Sequence, residues 1–121
     1  MAYINIAALT TINGCLSATP NISSTGTIVL SAPPTNHTYK LNTLMAVNKT
    51  TNPATITVVI NRSSTAFTTL AYQITVPINA TLILIGKDNP LYMYDVTSDT
   101  LSAQAGANNS IDIIASYEDL Y

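Results

Sequence analysis

Thr55-Ile56-Thr57-Val58-Val59-Ile60 and, beyond Asn61-Arg62-Ser63-Ser64, Thr69-Leu70-Ala71-Tyr72-Gln73-Ile74-Thr75-Val76 decide the fold. In the first stretch Ile56, Val58 and Ile60 alternate with Thr55, Thr57 and Val59, and in the second apolar side chains alternate with Thr, Ala or Gln. A strand sends successive side chains to opposite faces, so this period of two describes strands with one dry face. The pattern puts Ile56, Val58 and Ile60 inward on the first strand, and Leu70, Tyr72, Ile74 and Val76 inward on the second. Residues 61–64 then form a hairpin-like connection, and Pro77 ends the second strand.

The same grammar continues in both directions. Tyr39 to Val47 alternates with Tyr39, Leu41, Met45 and Val47 on one face, and Asn48 to Pro53 reads as a turn. Leu82-Ile83-Leu84-Ile85 is apolar on both faces, as expected of a central strand buried on both sides. Leu91 to Tyr94 is a short strand and Asp95 to Ser98 a turn. Leu101, Ala103 and Ala105 mark another strand, Gly106 to Asn109 a turn, and Ile111 to Tyr117 the last strand. The expected core is Ile56, Val58, Ile60, Leu70, Tyr72, Ile74, Leu82, Leu84, Ile111 and Ile113.

The first third is less regular. Tyr3 to Leu9 is a candidate strand, Asn13-Gly14 a turn signal, and Thr27-Ile28-Val29-Leu30 a strand stopped by Pro33-Pro34. The Ser/Thr/Asn/Pro-rich character of residues 12–34 predicts a loop or extended arm that leaves the body and packs on a neighbouring subunit. In all, about eight strands and no amphipathic helix predict an all-β antiparallel sandwich or jelly roll, one domain over residues 1–121.

Composition narrows the function. Charged residues make up 8% of the chain, against about 25% in an ordinary soluble domain. Thr and Asn give polarity without charge, so neighbours can pack on such a surface without stranding buried ions. Lys40, Lys49, Arg62 and Lys87 are scattered and the net charge is −2, which argues against nucleic acid as a partner. No apolar run is long enough for a transmembrane helix. The N-terminus lacks the pattern of a signal peptide, so synthesis in a cytoplasm is expected. With that, Asn-X-Ser/Thr matches such as those at Asn21, Asn36, Asn48, Asn61 and Asn79 read as chance in an Asn- and Thr-rich chain.

Few residues offer chemistry. Cys15 and His37 are the single cysteine and histidine; no His or acid stands near Cys15 in sequence to activate it, and a lone histidine is usually structural or solvated. No cluster has zinc-ligand spacing and no nucleotide or nucleophile-elbow motif occurs, so no enzyme activity and no cofactor is expected. Asp88, Asp95 and Asp99 lie in or beside two consecutive loops and are weak calcium candidates; solvated turn residues are the plainer reading. Seven tyrosines and no tryptophan are unusual. Tyr92, Tyr94, Tyr117 and Tyr121 are candidate interface residues, because tyrosine presents an apolar body with a polar tip.

Five segments carry a family resemblance: Leu44-Met45-Ala46-Val47-Asn48, Ala54 to Ile60, Val76-Pro77-Ile78-Asn79-Ala80-Thr81-Leu82, Gly86-Lys87-Asp88-Asn89-Pro90-Leu91-Tyr92, and Ile111 to Glu118. Together they resemble small β-sandwich structural proteins of tailed bacteriophages, of the cyanophage type, over roughly Tyr39 to Leu120. Thr97-Ser98-Asp99 departs from the Gly-Asp that this family often carries in that turn, and residues 12–34 have no counterpart. The resemblance implies a virion component: a capsid decoration (cement) protein, or a neck or tail part. The partners it implies are further copies of the chain, as a trimer or a ring, and the major capsid protein or neck and tail proteins. A lectin-like module reading host sugars is the alternative from another class.

Overall fold

The computed structural model describes residues 3–63 and 66–121. Nine strands occur among them: β1 (Ile12–Thr19), β2 (Thr27–Leu30), β3 (Thr38–Asn48), β4 (Ala54–Arg62), β5 (Ala66–Val76), β6 (Thr81–Ile85), β7 (Leu91–Tyr94), β8 (Thr100–Ala105) and β9 (Ile111–Leu120). A single 3-10 turn, Ile6–Ala8, precedes them where the sequence suggested a strand; the Asn5 side chain accepts a hydrogen bond from Ala7 N and caps it. Among the described residues no helix is long and apolar enough to cross a membrane.

The strands form two antiparallel sheets. One runs β1-β9-β3-β6, with β7 pairing β3 beyond the end of β6; the other runs β2-β8-β4-β5. The pairs are nested. β4 pairs β5, β3 pairs β6 and β7, β2 pairs β8, and β1 pairs β9. The chain is thus one long hairpin rolled up, its successive pairs falling alternately in the two sheets, while β9–β3 and β8–β4 pairing closes the roll. That is the jelly-roll topology, as the sequence predicted.

The core fills the space between the sheets. Leu41, Leu44, Ile111 and Ile113 come from the five-stranded sheet, and Val29, Ile56, Val58 and Leu101 from the four-stranded one. Ile22 and Met93 close the ends. Ile60, Leu82 and Leu84 pack against the core half-buried. Several face assignments made from alternation are overturned. On β3, Leu41 faces Tyr117 and Thr43 faces Ser116, so one extra residue bulges out. Leu44, Ala46 and Asn48 then turn inward, and Met45 and Val47 outward. On β5, two register shifts and a left-handed Gln73 (φ +47°) slip the alternation. Leu70, Tyr72 and Ile74 are exposed there, while Val76 is buried. β6 is an edge strand, not a central one, and Ile83 faces outward.

Residues 12–34 are not an arm. They contain β1, paired with β9 over its whole length, and β2, paired with β8. Their few apolar residues suffice because each strand adds to a sheet already covered on one face. Asn13-Gly14 lies inside β1 instead of turning. The turn read at residues 61–64 lies partly outside the described residues.

Asparagine supplies much of the turn chemistry. Asn21, Asn36, Asn79 and Asn109 all have positive φ, a conformation asparagine tolerates better than most residues. Asn48 works differently. It is 1% exposed, and its Nδ2 donates to Asn52 O at 2.8 Å and Val76 O at 3.0 Å. Its Oδ1 accepts from Thr50 N at 2.9 Å and Thr50 Oγ1 at 2.8 Å. One amide thereby fixes the crossover from β3 to β4 and the end of β5.

Candidate interaction surface

Several of the polar groups with chemical potential help to hold the fold. Asp99 is buried; its Oδ2 accepts from Tyr94 N at 2.9 Å and its Oδ1 from Thr97 Oγ1 at 2.6 Å. Arg62 Nε donates to the same Oδ1 at 3.1 Å. The calcium reading of Asp88, Asp95 and Asp99 fails on this geometry, because Asp99 already has a cation. Asp95 instead accepts from Asn36 N at 2.7 Å, and Asp88 is exposed in its loop. Among the described residues no group of three His, Cys, Asp or Glu is placed to hold a metal ion.

His37 and Asp119 lie 2.8 Å apart, Nδ1 to Oδ1, and the Tyr121 ring stacks on the imidazole at 4.2 Å between centroids. The Tyr121 hydroxyl accepts from Asn13 Nδ2 at 3.2 Å, tying β1 to the chain end. Cys15 is half-buried beside Tyr117 and donates weakly to Asn13 O. Tyr117 packs on Tyr39 and on the core. Burial first, and then Cys15, Tyr39 and Asp119, push the Tyr117 phenol up to about 12; burial and then Asp119 and Cys15 raise Tyr39 in the same direction. Tyr117 is therefore a packing residue and leaves the set of interface candidates.

Tyr92 and Tyr94 stack with their rings 6.4 Å apart, and Tyr3 meets Tyr94 edge-on at 4.8 Å. Arg62 Nη2 donates to the Tyr3 hydroxyl at 3.0 Å. Tyr92 also borders a cavity of about 180 Å³ with Ile6, Leu9 and Ile12. These two tyrosines mainly dock the chain's own N-terminal segment. Of the four tyrosines named from sequence, Tyr121 is the one classed as exposed.

The surface that is free lies elsewhere. On the outer face of the five-stranded sheet, Met45 stands opposite Ile83 on one side and Ile114 on the other, and Ile114 stands opposite Ala18. This row crosses β6, β3, β9 and β1. Its ends are open: Ile83 is 65% exposed, and Leu16, next along β1 on the same face, is 67% exposed. Val47 extends the belt along β3. The row from Ile83 to Ala18 has no charged member; Asp112, opposite Val47, pairs with Lys49 at 2.9 Å at its edge. On the opposite, four-stranded sheet, Phe67 and Tyr72 stand out from β5 at 69% and 66% exposure. Sequence reasoning missed both surfaces. An alternation pattern names two faces without saying which is dry, and the bulges that swap them leave no composition signal.

The fold and these surfaces define a class: a jelly-roll sandwich whose described polar clusters brace loops, and whose outer faces expose apolar side chains with few charges. Comparison with protein-family models and with curated proteins finds no match for this chain.

Proposed function

We propose that this chain is a non-enzymatic structural subunit of a tailed-bacteriophage particle, acting as a capsid decoration protein. The observation that carries the reading is the apolar belt Ile83–Met45–Ile114–Ala18 with Leu16 beside it. A free monomer seldom exposes a contiguous apolar patch larger than a few hundred Å². Here the row Ile83–Met45–Ile114–Ala18 crosses four strands with no charged residue among its members, and the nearest charges, Asp112 and Lys49, neutralise each other at its edge, so a neighbour can cover the row without stranding an unpaired ion. The segments that resemble phage structural proteins run through three of the belt strands, β3, β6 and β9, and jelly rolls are a recurrent shell fold.

The mechanism is burial at subunit junctions. Each large side chain of the belt contributes about 1–2 kcal/mol on full burial. Association costs of about 4–15 kcal/mol offset most of what a single contact gains. Contacts repeated over a shell add to the weak association of a single set of copies. Three copies meeting around a threefold axis of the head, over the major capsid protein, is the arrangement proposed.

The test is the copy number of the chain in purified particles, by quantitative mass spectrometry. About one copy or more per major capsid subunit supports decoration. A dozen or fewer moves the same belt to a neck or tail ring, and absence from particles removes the proposal.

A further inference from the structure

The outer face of the four-stranded sheet holds a groove in two adjoining sections. The first, about 270 Å³, has Thr55, Thr57 and Gln104 as its floor and Tyr72 as a wall, with Ser24 and Gly106 at its rim. The second, about 140 Å³, shares Thr57 and Gln104 and is walled by Phe67, with Val59 and Ser102 beneath. An exposed aromatic ring thus flanks each section. No Lys, Arg, Asp or Glu lines either one.

The floor is fixed and its polar groups are partly free. Thr57 and Gln104 are register partners on β4 and β8. Gln104 Nε2 donates to Ser24 O, which orients the amide and leaves Oε1 as an acceptor. Thr57 Oγ1 accepts from Gln73 N at 3.0 Å, so its own hydroxyl hydrogen is available to donate. Gly106 keeps the first section open: a Cβ there would stand 2.4 Å from Thr55 Oγ1. Glycine lets the backbone approach the groove where any side chain would crowd it.

We propose that this groove binds a neutral glycan. Sugar hydroxyls both donate and accept, and they match a floor of hydroxyls and an amide that do the same. The C–H faces of pyranose rings carry small positive partial charges and stack on the negative faces of Tyr72 and Phe67. The absence of ionic groups selects an uncharged ligand, because an acidic one would lose its hydration with no cation to replace it. Two shallow sections side by side fit successive rings of a chain better than one small molecule. The site lies on the opposite sheet from the apolar belt and does not rest on the proposed role in a particle; the two faces can be occupied together.

The test is affinity electrophoresis of the full chain through native gels cast with dextran, yeast mannan, galactomannan or laminarin. Retardation is expected with at least one of them, unchanged when salt is raised to about 0.5 M. Tyr72→Ala and Phe67→Ala, both at exposed positions, should each weaken it about tenfold or more. Ile83→Lys, on the other sheet, should leave it unchanged. Retardation by none of the four overturns the proposal. So does retardation that survives both aromatic substitutions, or that salt abolishes. A failure here leaves the apolar belt and its test untouched.

Discussion

Replacing Asn48 tests the architecture at its tightest polar contact. Its amide makes four hydrogen bonds from a position with 1% exposure. Asn48→Ala removes all four and leaves Val76 O without that partner. At a net ~0.5–1.5 kcal/mol per bond, with a further penalty for a stranded buried group, the loss is about 3–5 kcal/mol. A chain of this size has a total of only ~6–18 kcal/mol. With a urea m-value of ~1.5 kcal/mol/M the midpoint should fall by roughly 2–3 M. Asn48→Asp is the sharper variant. A carboxylate would face two carbonyl oxygens that now receive N–H donors, so its charged form is disfavoured and its folded pKa rises above the unfolded ~3.9. A group raised in this way contributes stability fully below the unfolded pKa and loses it as pH climbs through the folded value. Asn48→Asp should therefore approach the wild type near pH 3 and be much weaker at pH 7. Urea melts followed by tyrosine fluorescence at the two pH values measure both effects. A loss below about 1 kcal/mol for Asn48→Ala, or an Asn48→Asp penalty that ignores pH, would refute the reasoning.

Three further outcomes follow from the same contacts. Asp99→Ala should cost about 2–4 kcal/mol, because it frees Arg62 and strands Tyr94 N; Asp99→Asn, which keeps an acceptor, should cost less, as thermal melts of the two will show. Tyr117 has a raised pKa, so its contribution to stability is complete below pH ~10 and disappears as pH rises towards 12. Absorbance titration near 295 nm should find Tyr39 and Tyr117 ionising above the ordinary phenol range, together with loss of the folded state; a titration complete within that range would contradict this. Gly26 sits at φ +120°, so Gly26→Ala should lower the melting temperature by an amount equivalent to about 1–3 kcal/mol.

The hairpin written in Thr55–Val76 and the strands after it were legible because alternation with Thr is hard to read as anything but a strand. β8 and β9 follow their apolar residues faithfully: Leu101, Ala103 and Ala105, then Ile111, Ile113 and Ala115, are all buried. β3 and β5 were misread for a common reason. A bulge changes the facing of every later residue, and neither Asn42 nor Gln73 advertises one. The arm assigned to residues 12–34 failed on a different count. β1 gains its stability from eight register partners on β9, at the far end of the chain, and no local pattern reports them. Asn48 was visible only as a turn residue; its burial depends on Val76, brought over from β5.

The apolar belt is the part of the account on which function depends, and sedimentation equilibrium addresses it directly. Purified wild-type chain and Ile83→Lys should be compared over a wide concentration range. Ile83 is exposed on an edge strand, so the substitution leaves the core intact. Wild type should shift with concentration from monomer to trimer, and Ile83→Lys should stay monomeric. A wild-type chain that remains monomeric at every concentration, or a variant with the same masses as wild type, would contradict the claim that this face is built to be covered.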